Sequence, residues 1–589
     1  MTTYAAPLKD VFFSLYDVNN YDEHYKGYEL TKDLVTAIVE QAAKFSEREL
    51  FPLNASGDAE GVRLVDGEVK VPGGFKQAFQ RYIDGGWPTL SQPLEFGGQG
   101  LPHSVATIVT EFWQSANQAW SMYPFLGEGA CETLLAYGGS KLKSTFLPNL
   151  VSGKWTGTMC LTEPQAGSDL GLLRTKAVPI GGDSDKYSIT GSKIFISSGD
   201  HDISENIIHL VLARLPNSPA GSRGISLFIV PKFKVSEDGG IAERNSVVCG
   251  SIEHKMGLNG SATCQMNFDN AEGYLIGPVN KGLSCMFTFI NKSRLGTAVQ
   301  GQAQTEGAYQ MSVNYAQDRL QGRCSGSGEV VDPIVNHPDV KRMLLTQRAF
   351  SEGGRTLTHY CAKLVDCGSS SDINVSNKSK TRLSLLIPIA KGCLTEWGFE
   401  AADLGIQIFG GHGYIRESGI EQRLRDVRVS RLYEGTTGIQ AQDFIMRKVV
   451  ADGGVALDEY INEVMSFLSA NDGVDGFSEC RDKLKACVSD WQNVSHDLIA
   501  IVDNANSIYE EVAFDYLMYS GYVVLAYQWA QICVASLYYL NHKDCRDREY
   551  YMDKLETKTF FFHRILPRSL ANLACINAVI EGNAIVKRN

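Results

Sequence analysis

The spacing of apolar residues changes twice along this chain, and those two changes decide what it can fold into. Up to about Trp155 apolar residues recur every three to four positions. From Thr156 to Phe268 they alternate, or run unbroken over short stretches, between Gly, Asp, Ser and Pro turns. From Gly282 the helical spacing returns and lasts to the end. A period near 3.6 buries one stripe of a helix and a period of 2 buries one face of a strand. The pattern predicts an α+β multidomain chain. Its parts are an N-terminal α-helical domain (1–155), a central β-barrel or sandwich (156–275), a C-terminal four-helix bundle (276–450) and an additional C-terminal helical domain (451–589). At 589 residues several domains are expected in any case.

In detail, Leu34, Ile38, Ala42, Phe45 and Leu50 fit one helix face, with a break at Pro52 and a polar connection or hairpin over 57–71. Helices are expected at 105–119 and 129–137, and residues 1–30 give no assignment. Antiparallel strands are expected at 156–161, 186–190, 193–197, 207–213 and 225–230, with a last one in 257–268. The bundle helices are placed at about 286–319, 340–364, 383–404 and 438–450, with 367–380 as a flexible polar loop. Beyond them come helices at 480–503, 508–540 and 553–580.

Composition narrows the function classes. Hydrophobic residues make up 44% and charged ones 21%, as in soluble globular proteins. A net charge of −12 gives no support for nucleic acid or an anionic membrane surface. No uninterrupted apolar run reaches the roughly 18 residues that would predict an integral membrane segment. The N-terminus lacks a secretory layout, so the 14 cysteines, without C-x-x-C or His partners, read as reduced and mostly buried thiols in a cytoplasmic protein. No metal site is expected, and no Gly-x-Gly-x-x-Gly follows a strand.

Three turn-like stretches carry chemistry. Ser430-Arg-Leu-Tyr-Glu-Gly-Thr-Thr-Gly-Ile-Gln-Ala-Gln442 places one carboxylate, Glu434, between Tyr433 and Gly435. An aromatic wall disfavours the charged acid and raises its pKa. Gly435 lets backbone approach a ligand, and Thr436 and Thr437 lie at a helix start where N–H groups can meet phosphate. The same residues also read as a plain helix start that happens to hold an acid. The other two stretches are Leu161-Thr-Glu-Pro-Gln-Ala-Gly-Ser-Asp169 and Gln407-Ile-Phe-Gly-Gly-His-Gly-Tyr414.

Those three motifs, in that order and within an α–β–α layout over 31–450, resemble the acyl-CoA dehydrogenase family. The N-terminal start and the acidic appendix (20 acidic and 12 basic residues in 451–589) resemble its longer bacterial subfamily. The resemblance implies FAD as cofactor, an acyl-CoA substrate and a trans-2-enoyl-CoA product. It also implies electron-transfer flavoprotein as partner and a homodimer or dimer of dimers. Glu434 is then the base that removes the α-proton, and its backbone N–H with a ribityl hydroxyl holds the thioester oxygen. The substrate lies against Ser168, Arg294, Tyr433 and Gly435. In some relatives the base precedes the helix arginine, where this chain has Ser293, which favours Glu434; Arg294 otherwise reads as a solvated helix arginine. Leu161, Thr162, Gly167, Ser168, Phe195, Ser197 and Thr436 would contact the flavin nucleotide, although Phe195 also reads as a buried strand aromatic. Arg319, Gln407 and Gly411 would reach the dinucleotide of a neighbouring subunit, with His412 a polar turn residue. Relatives often carry Trp and Thr at 195 and 197, and Phe-Gly where Gln321-Gly322 stands here. An acyl-CoA oxidase, and a specialised dehydrogenase of 3-methylmercaptopropionyl thioesters, are the alternatives. A DNA-binding flavoprotein of this fold would need a basic C-terminal surface, whereas 451–589 is net −8.

Overall fold

The computed structural model describes residues 4–181, 185–236, 239–325, 330–501, 507–542 and 545–586. Two compact units are distinguished. One comprises Lys44–Ala106 and Ala116–Gly296, the other Met1–Ala43, Thr107–Ser115 and Thr297–Asn589.

The first unit is built on a seven-stranded sheet. Its strands are Trp155–Cys160 (β1), Lys176–Pro179 (β2), Lys186–Ser197 (β3), Asn206–Arg214 (β4), Ile225–Pro231 (β5), Val247–Ile252 (β6) and Thr263–Ile276 (β7). The order is β6-β7-β3-β2-β4-β1, and β5 pairs with both β7 and β4. Strands β7, β3, β2, β4 and β5 therefore close into a ring, so the sheet is a barrel with β6 and β1 flanking it. Ile207 to Ala213 and Ile225 to Pro231 are buried at every position, which is why they read as continuous apolar runs rather than alternations.

Helix Gln118–Tyr137 and helix Ser140–Val151 cover one side of the barrel. Leu126, Leu134, Phe146 and Leu150 meet Trp155, Leu210 and Ile229 in one core, joined by Phe289 from the start of the long helix Gly282–Asp318.

Several expectations are corrected in this unit. The pairing of β1 with β4 is parallel, not antiparallel. The long excursion through β2 and β3 allows it, since only tight hairpins force antiparallel neighbours. The expected strands 186–190 and 193–197 are one bulged strand, and β6 and helix Ser140–Val151 were not expected. Pro52 does not end a helix but opens Pro52–Glu60, where its missing N–H is harmless. The hairpin follows as Arg63–Val65 paired with Glu68–Lys70, its turn residues Asp66 and Gly67 both at positive φ.

The second unit is helical. Its bundle contains Gly282–Asp318 from residue 297 onward, Pro338–Cys367, Ile373–Phe409 and Thr437–Gln442, which runs on as a π-helical stretch to Val450. The expected loop 367–380 is mostly helix. Asp372 accepts the Asn374 N–H at 2.9 Å and starts the helix ten residues before its apolar stripe shows in the sequence. Helix Ile420–Arg428 was not expected, because its buried side includes Gln422, Arg423 and Asp426. In Lys32–Phe45 the buried face is Val35, Val39 and Ala42, and Leu34 is exposed, one residue out of the expected register.

The appendix supplies Val455–Ala470, Ser478–Ala500, Ser507–Leu540, Arg548–Phe560 and Ser569–Val586. The helix expected over 480–503 has its last residues outside the described ones, and the one expected over 553–580 is interrupted around Pro567. Ser507–Leu540 is the one described helix long and apolar enough to cross a membrane, and 61% of its apolar window is buried within the chain. Gly521 lets it close on the bundle, since a Cβ there would lie 2.2 Å from Cys393 Sγ. Trp529 Nε1 donates to the Ala349 carbonyl at 3.0 Å, and Tyr516 stacks on Phe444.

Candidate active site

In the barrel unit the chain leaves β1 at Leu161 and makes a pinned loop. Glu163 is the pin. Its Oε1 accepts from the Thr175 N–H (3.0 Å), the Thr175 hydroxyl (2.6 Å) and Lys193 Nζ (2.9 Å). Its Oε2 accepts from the Arg174 N–H (2.7 Å) and Gln165 Nε2 (2.6 Å). Lys193 also donates to the Leu161 carbonyl at 3.0 Å, and Ile194 N–H to the Thr162 carbonyl at 2.9 Å. One carboxylate thus gathers both ends of the loop and ties it to β3. Burial pushes the Glu163 carboxyl up, but Lys193, Thr175 and Arg174 outweigh it and hold it at about 2. Burial lowers Lys193 to about 8 against the pull of Glu163. At neutral pH this is a buried ion pair.

The loop so held exposes Gly167 and Ser168 and half-buries Leu161 and Thr162. On β3, two residues oppose one of β7 where the register shifts between Cys264 and Met266. Phe195 lies in that bulge with φ 58 and a ring 60% exposed. A bulge re-aims a side chain, so Phe195 is an outward aromatic and not the buried strand aromatic that was the alternative. Ser197 next to it is half-buried. Arg294, on the long helix, is buried and so is not a solvated helix arginine.

In the helical unit, the segment after Ile420–Arg428 winds through one short turn and reverses at Glu434 and Gly435, with φ of 57 and 87. A non-glycine residue in this region costs about 1–3 kcal/mol and persists only where its surroundings hold it. They do here. The Glu434 carbonyl accepts from Gln440 Nε2 at 3.0 Å and the Gly435 carbonyl from Lys391 Nζ at 2.6 Å. A Cβ on Gly435 would come within 2.7 Å of Gln440 Nε2. Arg431 pairs with Glu396, which also accepts from the Thr437 hydroxyl at 2.7 Å. Thr436 caps the next helix, its hydroxyl accepting from the Ile439 N–H at 3.2 Å. Glu434 is half-buried with Oε2 shielded from solvent, and the Tyr433 hydroxyl donates to Gln300 Oε1.

Gln407 and Gly411 are exposed at the end of Ile373–Phe409, where Gly410 turns the chain at φ 60. Tyr315 stacks on Phe409 at 4.0 Å and bonds His412 Nδ1 at 2.9 Å, bringing the end of Gly282–Asp318 to this turn. Arg319, one helical turn past Tyr315, is exposed there. His412 is thus a turn residue held by a tyrosine.

Three held sites are therefore present. The barrel unit joins 161–168 to Phe195 and Ser197. The helical unit separately forms the Glu434 turn and the exposed 407–412 corner with Arg319. Glu163, Lys193, Lys391, Gln440 and Glu396 were not singled out from the sequence. Lys391 had a visible signal, as a lone charge in the apolar run Leu385–Leu394.

Family models match nearly the whole chain. The acyl-CoA dehydrogenase N-terminal domain matches residues 33–154, the middle domain 158–271 and the C-terminal domain 280–449. A model described as acetyl-CoA dehydrogenase C-terminal like matches residues 460–581. The chain belongs to the acyl-CoA dehydrogenase family. Like the family at large, it is an FAD-dependent oxidoreductase of acyl thioesters. Among relatives of this dehydrogenase, the 3-methylmercaptopropionyl-CoA dehydrogenase of Ruegeria pomeroyi is 44% identical over 77% of each chain. The broad-specificity linear acyl-CoA dehydrogenase of Mycobacterium tuberculosis is 32% identical over 96% of each. Caenorhabditis elegans ACDH-11, solved with C11-CoA, superposes with a TM-score of 0.76 at 20% identity, covering 95% of this chain and 91% of that one. The last is a likeness of fold, and it extends through the appendix.

Proposed function

We propose that this dehydrogenase takes the α-proton of its acyl-CoA with the Glu434 carboxylate, leaving a trans-2,3 double bond. The observation that carries the reading is the Glu434 turn: a carboxylate on a left-handed backbone whose two carbonyls are bonded by Gln440 and Lys391. An unperturbed Glu, titrating near about 4.3, is too weak a base for a Cα–H. Oε2 of Glu434 is shielded from solvent, the kind of setting in which a carboxylate gains basicity. Glu434 receives the α-proton on a carboxylate oxygen, and its backbone N–H steadies the thioester oxygen as charge develops there. Tyr433, Gly435, Ser168 and Arg294 line the acyl-CoA.

The chain's own residues suit FAD. Phe195 offers an outward ring, Gly167 has no atom nearer than Thr162 Cγ2 at 3.9 Å around its missing Cβ, and Gly411 has nothing within 4 Å. Leu161, Thr162, Gly167, Ser168, Phe195, Ser197 and Thr436 would hold the flavin half. Arg319, Gln407 and Gly411 would hold the dinucleotide of a second copy in a homodimer or dimer of dimers. Bound FAD supplies the acceptor for the β-hydrogen, which leaves with its electron pair. Electron-transfer flavoprotein then takes the electrons. The segments 1–155, 156–275, 276–450 and 451–589 are assigned as its domains, and the unbridged thiols fit a cytoplasmic protein.

The 44% identity to the Ruegeria enzyme makes 3-methylmercaptopropionyl-CoA the first thioester to test. Purified holoenzyme is mixed anaerobically with this compound, butyryl-CoA and a long-chain acyl-CoA. Flavin bleaching with formation of the 2,3-unsaturated thioester is expected. No bleaching by any of them contradicts the proposal. Peroxide forming at the rate of substrate loss, without added acceptor, would assign an oxidase instead.

A further inference from the structure

The Glu434 turn leans on helix Ile373–Phe409 at two places. Glu396 receives Arg431 and the Thr437 hydroxyl, one on each side of the turn, and so anchors its ends. Lys391, five residues earlier, reaches the middle. It is fully buried, and its Nζ donates to the Gly435 carbonyl at 2.6 Å. Burying an ammonium is costly, and in a stretch where Leu386, Ile389 and Leu394 are also buried a leucine at 391 would serve packing alone better. What the ammonium adds is a charge-assisted hydrogen bond, stronger and more directional than a neutral donor makes.

Its target is the peptide that most needs holding. Glu434 and Gly435 are consecutive left-handed residues, and the Glu434 half of that reversal relaxes unless fixed from outside. Gln440 fixes the Glu434 carbonyl through a neutral amide. The Gly435 carbonyl, one peptide on, has Lys391 Nζ at 2.6 Å and Gln440 Nε2 only at 3.5 Å. Lys391 is therefore its closer hold, and without it the reversal, and the Glu434 side chain with it, could shift while the anchored ends stay in place.

We propose that Lys391 is a positioning residue for α-proton removal, its ammonium clamping the Gly435 carbonyl so that the Glu434 carboxylate stays aimed. This rests on the assignment of Glu434 as base.

The test isolates the proton step. tert-Butylacetyl-CoA has α hydrogens and no hydrogen on Cβ, so it can exchange in D2O but cannot be oxidised. Exchange is followed by mass spectrometry with holoenzyme of the wild type, Lys391→Met, Lys391→Gln and Glu434→Gln. Flavin content and thioester affinity are measured alongside. Lys391→Met is expected to keep both and to slow exchange by roughly 10²-fold, the cost of misplacing a catalytic group by about 1 Å. Lys391→Gln should fall between it and the wild type. In a Glu434→Gln background, Lys391→Met should slow nothing further. Wild-type exchange in Lys391→Met overturns the proposal. So does an additive loss in the double variant, or failure of both Lys391 variants to fold, which would assign the lysine to stability. Wild-type exchange in Glu434→Gln would instead remove the base assignment itself.

Discussion

At the scale of single residues, two turns are each held by buried charges, Glu163 with Lys193 in one and Lys391 in the other. Glu163 and Lys193 are both almost wholly inside, and each is worth little without the other. Removing one partner leaves an uncompensated charge or unpaired donors, a loss of about 3–5 kcal/mol. Glu163→Gln and Lys193→Met should each lower stability by that order in denaturant titration. The double variant should lose less than the sum, because the two groups form one network. Each single variant should also lose flavin more readily, as the 161–175 loop comes away from β3. The pair carries a pH signature. Its carboxyl titrates at about 2 in the fold against an ordinary value of 4.5. The carboxyl's contribution is therefore complete above about 4.5 and disappears as pH falls toward about 2, while on the alkaline side the ion pair is lost above about 8 with the Lys193 proton.

At the scale of elements, buried histidines set the acid limit earlier. His209 on β4 bonds Thr158 Oγ1 at 2.8 Å, and burial first, then Lys232, lowers it to about 3. His359 on Pro338–Cys367 bonds Ser14 Oγ at 2.9 Å, and burial first, then Arg355, lowers it likewise to about 3. Both are neutral in the fold and would protonate on unfolding below about 6.5. Each should cost up to about 1.4 kcal/mol per pH unit between about 6.5 and 3. Melting temperature against pH should fall through that window, and His209→Gln should flatten the slope. A flat wild-type profile would contradict the buried neutral assignment.

The same elements explain what could be read beforehand. Long helices with one apolar stripe, and β4 and β5 with unbroken apolar runs, announced themselves because burial alone specifies them. Elements held by polar contacts did not. Ile420–Arg428 buries Arg423, which bonds the Ser115 carbonyl, and Ile373–Lys380 begins on a cap among serines and lysines. The Glu434 turn was legible as a motif, but its support was not. Lys391 reaches it from another helix with no local spacing to join it to Glu434, and Gln440, six residues on in the same stretch, shows its bond only once the turn is folded. The Phe195 bulge was likewise invisible, since it depends on register against β7.

At the scale of the whole molecule, the appendix is part of the helical unit's core rather than an attachment. Trp529 and Leu525 of Ser507–Leu540 pack on Gly353, Leu517 packs on Gly392, and Lys554 pairs with Asp10 and Glu352. Truncation after Val450 would bare this surface, and the shortened chain should be insoluble or aggregate on size-exclusion chromatography. A monodisperse, flavin-bound truncation would contradict that role. Anaerobic flavin bleaching by an accepted acyl-CoA should be compared in wild-type and Glu434→Gln holoenzyme by stopped flow. If Glu434 is the base, flavin content should be equal and the bleaching rate lower by at least the roughly 10²–10⁴-fold of a lost general base; bleaching at the wild-type rate would contradict that role.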